Sequence, residues 1–142
     1  GGVTYTAWDV SNVTDMYAMF EGASVFNKNL NSWDVSNVTD MSHVFTYADD
    51  FNGNISSWVV SSVNDMSSMF NGAFAFNQNI SSWDVSSVAD RLDMGYMFQN
   101  ATSFNQDISS WCVTNIVSYP TDFDSGATAW TLPKPVWGTC PP

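Results

Sequence analysis

WDVSNVTDM occupies residues 8–16 and returns unchanged as residues 33–41. It comes back altered as WVVSSVNDM over 58–66 and as WDVSSVADRLDM over 83–94, and a last fragment, WCVTNI, covers 111–116. Trp8, Trp33, Trp58 and Trp83 therefore stand 25 residues apart, and Trp111 follows after 28. Phe26, Phe51, Phe76 and Phe104 keep those intervals, as do Met16, Met41, Met66 and Met94, then Phe20, Phe45, Phe70 and Phe98. A fixed period carried by the apolar positions is the signature of stacked coils, each covering its neighbour's apolar face.

Within one unit the spacing changes character. Ile80, Trp83 and Val85 read I-x-x-W-x-V, which predicts a short strand on one wall of a leucine-rich-repeat-like coil. Val38, Met41, Val44, Phe45 and Ala48 advance by three or four residues, which predicts a short helix on the opposite wall, started by Thr39 or Asp40. Gly22 and Gly72 then suit a left-handed helix end, with Tyr47 and Asn100 in their place in other copies. The expected fold is an α/β solenoid of roughly 25-residue coils, with units near 1–25, 26–50, 51–75, 76–103 and 104–111, closed by a C-terminal cap over 112–142. The Met, Phe and Trp columns are expected to fill its core. The opening Gly1 to Ala7 offers no comparable cap, so the first coil is expected to be covered by a preceding domain or by another subunit.

All five prolines lie in the expected cap, together with Phe123, Trp130, Leu132 and Trp137, while Cys112 opens it and Cys140 nearly ends it. No C-x-x-C occurs, and the single histidine, His43, sits two repeats away, so a disulfide that staples the cap is expected rather than a metal or redox pair. A disulfide implies an oxidising compartment, hence an extracellular or cell-surface location.

Charge narrows the partners. Lys28, Arg91 and Lys134 oppose 14 acids, for a net charge of -11, which repels nucleic acid and anionic lipid surfaces. No run approaches the length of a membrane-spanning segment, so membrane insertion is not expected. Two acid columns remain to be explained: Asp9, Asp34 and Asp84 beside tryptophan, and Asp15, Asp40, Asp65 and Asp93 at the expected helix starts. The second column is expected to cap helices, or else acids, Asp9 and Asp34 among them, hold calcium between coils, and no other cofactor is implied. One His and one Glu at variable positions leave little for catalysis, so no enzyme is expected. Three residues inserted between Val88 and Met94 are expected to bulge outward around Arg91.

The stretch WDVSNVTDMYAMFEGASVFNKNLNSWDVSNVTDM, residues 8–41, resembles the repeat of BspA-like bacterial surface proteins and Mycoplasma-type lipoproteins, and the resemblance runs over residues 8–116. WCVTNI and KPVWGTCPP resemble the terminal unit of such arrays. The resemblance implies a leucine-rich-repeat-like protein of cell surfaces, associated with adhesion and protein binding, and carries over no catalytic residue. Tyr17, Tyr47, Phe74 and Tyr96 break the repeat with aromatic side chains and form the candidate binding surface for an extracellular protein or glycan. The other reading is a structural subunit of an extracellular filament or coat, self-assembled through the first coil.

Overall fold

The computed structural model describes residues 8–142. The stretch Gly1–Ala7, where no cap was expected, lies outside the described residues. The repeats stack coil upon coil, in parallel and in register. Met16 N–H donates to the Asp40 carbonyl, Met41 to Asp65, and Met66 to Asp93, at 2.7–2.9 Å.

The helix-and-strand solenoid expected from the apolar spacing does not form. Among the described residues the regular structure is one 3₁₀-helix, Leu92–Met94, and the isolated parallel bridges Asp15–Asp40 and Asp40–Asp65. The reason lies in where alternate amides go. On the wall expected to be helical, the N–H groups of Met41, His43, Phe45 and Tyr47 all donate to the next coil, at Asp65, Ser67, Met69 and Asn71. Those of Val44, Thr46 and Ala48 close turns to Met41, His43 and Phe45, three residues back. With half the amides committed between coils, the i→i−4 ladder of an α-helix cannot form. His43 (φ 59°) and Tyr47 (φ 54°) are left-handed and sit third in the turns 41–44 and 45–48, the place at which a type II turn needs positive φ. The same φ recurs at Ala18 and Gly22, Ser68 and Gly72, Tyr96 and Asn100. These glycines are thus turn residues rather than helix ends.

The wall expected to be a strand does alternate, with Trp83 and Val85 buried and Asp84 exposed. However, the Trp33, Trp58, Trp83 and Trp111 N–H groups turn back to Leu30, Ile55, Ile80 and Ile108 instead of pairing with a neighbouring strand. Apolar spacing thus placed the side chains on the right faces and gave the wrong backbone.

The core is a set of side-chain columns inside the coils. Phe20, Phe45, Phe70 and Phe98 stack at 5.5–5.7 Å between centroids, and Phe26, Phe51, Phe76 and Phe104 at 5.7–5.9 Å. The two columns touch, as at Phe45–Phe51 (3.9 Å). The indole N–H of Trp58, Trp83 and Trp111 donates to the Leu30, Ile55 and Ile80 carbonyls of the coil before, so each buried polar edge is satisfied. The inserted residues are absorbed by the 3₁₀-helix, with Arg91 and Leu92 exposed and Met94 buried in phase with Met66.

Residues 117–142 make one more circuit, in a register that a spacing of 25 conceals. Tyr96, Phe98 and Asn100 donate to the carbonyls of Thr121, Phe123 and Ser125, as the equivalent residues do in every earlier coil. Phe123, Ala127, Trp130 and Trp137 then follow Met97, Ala101, Phe104 and Trp111, each 26 residues on. A disulfide joins Cys112 to Cys140. Cys112 lies half-exposed between buried Trp111 and Val113, and Val113 exchanges backbone hydrogen bonds with Gly138 and Thr139.

Candidate functional site

The acids and amides that the sequence repeats are corner residues. Asp9 Oδ1 accepts the Ser11 N–H (3.0 Å) and the Ser11 hydroxyl (2.6 Å), and the same pair of bonds joins Asp34 to Ser36 and Asp84 to Ser86. Asp15, Asp40 and Asp65 accept from the N–H two residues on, as do Asn29, Asn54, Asn79 and Asp107. Each is an Asx turn, in which a short side-chain acceptor takes the amide that the bend would strand. The helix-capping explanation for the second column is therefore corrected: among the described residues no α-helix starts at these aspartates, Asp15, Asp40 and Asp65 hold bends, and Asp93 lies within the 3₁₀-helix instead of capping it.

These bonds fix the electrostatics. The Ser86 hydroxyl, then its N–H, holds Asp84 below the ordinary carboxylate pKa, and Asp9, Asp34 and Asp107 are lowered in the same way by Ser11, Ser36 and Ser109. Asp93 moves the other way, raised by burial and then by the charges of Asp65 and Asp90. The calcium candidates Asp9 and Asp34 each spend one oxygen on their own serine. Among the described residues no three His, Cys, Asp or Glu side chains converge on a point that a metal ion would occupy.

A second polar column ties the coils together. Asn27 Oδ1 accepts the Asn52 N–H, Asn52 the Asn77 N–H, and Asn77 the Asn105 N–H, at 2.9–3.0 Å, and Asn105 Oδ1 takes the N–H groups of Thr131 and Leu132. The amides are therefore committed to structure.

The four aromatic candidates remain outside the core. Tyr17, Tyr47, Phe74 and Tyr96 are 59%, 54%, 44% and 40% exposed. They share the turn wall and its following corner but occupy different columns. Tyr17 meets the His43 ring edge-on at 5.7 Å, and Tyr47 lies over Gly72, where a Cβ would fall 2.5 Å from the ring. His43 was not a sequence candidate; its offset of 26 from Tyr17, one residue more than a coil, was the available signal. Trp8, assigned to the core columns, is instead 72% exposed, stacked on Trp33 at 6.4 Å. With Phe20, Phe26, Lys28 and Trp33 it lines a cleft of about 310 Å³ across the first two coils.

A family model described as "Mycoplasma protein of unknown function, DUF285" matches residues 3–94 and again residues 57–139. The chain belongs to this family. The second match extends past Ile116 to Thr139, through the circuit whose spacing is 26. No curated protein and no solved structure matches the chain.

Proposed function

We propose that this chain is a non-catalytic module of the cell surface or extracellular space that binds protein or glycan through side chains displayed on its coils. One observation carries the reading. Tyr17, Tyr47, Phe74 and Tyr96 are exposed aromatics at positions where sister coils hold Ser42, Gly72, Ser24 and Ser68, so the coil folds without them. Aromatic faces beside acids and amides on a hydrogen-bonded backbone present a fixed recognition surface. The resemblance to BspA-like adhesion repeats supports the same reading, and the disulfide supports an oxidising location. Among the described residues no helix is long and apolar enough to cross a membrane.

The test is binding of the purified chain to arrays of glycans and of extracellular proteins. The substitutions Tyr17→Ser, Tyr47→Gly, Phe74→Ser and Tyr96→Ser, combined, are expected to weaken a captured ligand at least about tenfold while leaving the melting temperature near that of the parent. Unchanged affinity in the combined variant would remove the aromatic surface from consideration.

The second reading, a structural subunit of an extracellular filament or coat, has one observation in its favour: the exposed aromatic end of the first coil, Trp8 above all. Subunit assembly predicts a mass that rises with concentration without any added ligand, which a binding module does not show.

A further inference from the structure

The backbones of the two ends of the stack are complementary. In each coil the wall amides donate forward, so in the first coil the carbonyls of Asp15, Tyr17, Met19 and Glu21 occupy the places that accept from a preceding coil. These are the counterparts of Asp40, Ser42, Val44 and Thr46, which accept from Met16, Ala18, Phe20 and Gly22. In the last circuit Asp122, Asp124 and Gly126 take the donor places of Tyr96, Phe98 and Asn100, and among the described residues their N–H groups donate to no backbone carbonyl. Backbone register alone would let the last circuit of one molecule accept the first coil of another.

The side chains differ. Phe70 N–H reaches Met97, the residue before Phe98, and Phe98 N–H reaches Phe123, the residue before Asp124. Leu30 N–H reaches Asn54, before Ile55, and Ile108 N–H reaches Pro133, before Lys134. Asp124 therefore holds the slot of the Phe20–Phe98 column, and Lys134 the slot of Leu30, Ile55, Ile80 and Ile108. These two replacements pair with each other: Lys134 forms an ion pair with Asp124, Tyr119 donates its hydroxyl to the same carboxylate, and the ammonium sits 4.9 Å from the Trp130 ring centroid.

The rings tell the same story. Phe45–Phe70 and Phe76–Phe104 lie within 7° of parallel, whereas Phe98–Phe123, Phe98–Trp130 and Phe104–Trp130 cross at 72–87°. The last circuit thus ends both phenylalanine columns edge-on and seals them with charge.

We propose that the Asp124–Lys134 pair is a stop against self-association: it prevents the last circuit from stacking on the exposed aromatic coil of a second copy of this chain. Seating Trp8, Phe20, Phe26 and Trp33 of that copy here would strip water from two charges for no new polar partner. An inward-pointing charge at an open edge is a known protection against edge-to-edge association, and terminal repeats need a polar outer face. The inference rests on register and does not depend on the binding reading above.

Sedimentation equilibrium from micromolar to millimolar concentration tests it. The intact chain is expected to stay monomeric. The variant Asp124→Phe with Lys134→Ile, which restores both columns, is expected to form oligomers whose mass rises with concentration, and adding Trp8→Lys and Phe26→Lys is expected to return it to monomer. Self-association of the parent chain, a folded double variant that remains monomeric, or association that survives the lysine substitutions would each overturn the proposal. Should the double variant not fold, Asp124→Asn with Lys134→Met removes both charges at similar size; association at high concentration is expected there too, and a monomer overturns the proposal.

Discussion

Asp84 and Asp93 are chemically identical and are placed in opposite situations. Asp84 is lowered by Ser86, so its contribution to stability is whole above the ordinary carboxylate range and is lost as pH falls through the depressed value. Asp84→Asn keeps an acceptor for the turn, as Asn79 does for Ser81, and removes the titration. Its melting temperature should fall less between pH 7 and pH 3 than that of the parent, whereas Asp84→Ala should melt lower at pH 7 by loss of the turn itself. Asp93 is raised, so its charged form costs stability above its pKa and the cost is relieved as pH falls. Asp93→Asn should therefore raise the melting temperature at pH 7, with the gain disappearing near pH 3. The D-x-S pattern was visible in the sequence, but its meaning was not. A turn acceptor and a helix cap use the same residues, and the two differ only in where the following amides point.

At the scale of one wall or one column, the consequence is that turns carry what helices were expected to carry. Gly72 combines φ 69° with the Tyr47 ring across it, so Gly72→Ala should cost about 1–3 kcal/mol in chemical denaturation. The asparagine column is continuous in the same sense. Asn52→Ala leaves the Asn77 N–H without its acceptor, while the Gln78 side-chain amide keeps the Asn52 backbone carbonyl, and should cost about 1 kcal/mol. Apolar positions three and four apart were read as a helical stripe, yet corners of two and three residues produce the same spacing. What periodicity reports is which side chains face inward, and Met41, Val44, Phe45 and Ala48 are all buried as it implied. The alternation of donors between the next coil and the turn is a property of stacking, and no single repeat encodes it.

For the whole molecule, coils that each touch only their neighbours make the two ends decisive. The last circuit is closed by the Cys112–Cys140 bond across a separation of 28 residues, and removing both cysteines should lower stability by roughly 3–4 kcal/mol on the loop-entropy account, measured by denaturation with and without reductant. The N-terminal end of the described stack is the less covered one, where Trp8, Phe20, Phe26 and Trp33 retain exposure that their counterparts further along lose. The aromatic binding candidates were legible because they break a repeat, and an interruption can be seen without any structure. The contact of Tyr17 with His43 was not, since it joins different coils at an offset of 26, and the Asp124–Lys134 pair was not, since it lies within a circuit whose register is 26 rather than 25.

By itself the sequence determined the coil, its period, the inward faces at Trp, Val, Met and Phe, and the likeness to a Mycoplasma-type repeat family, because burial repeats at each turn of the stack and leaves its mark in composition. The tertiary structure alone decided the backbone that carries those faces, the 26-residue circuit at the C-terminus, and the replacement of two core slots by an ion pair. Hydrogen bonds between coils choose among local conformations that share one apolar pattern, and those bonds exist only once a neighbour is in place.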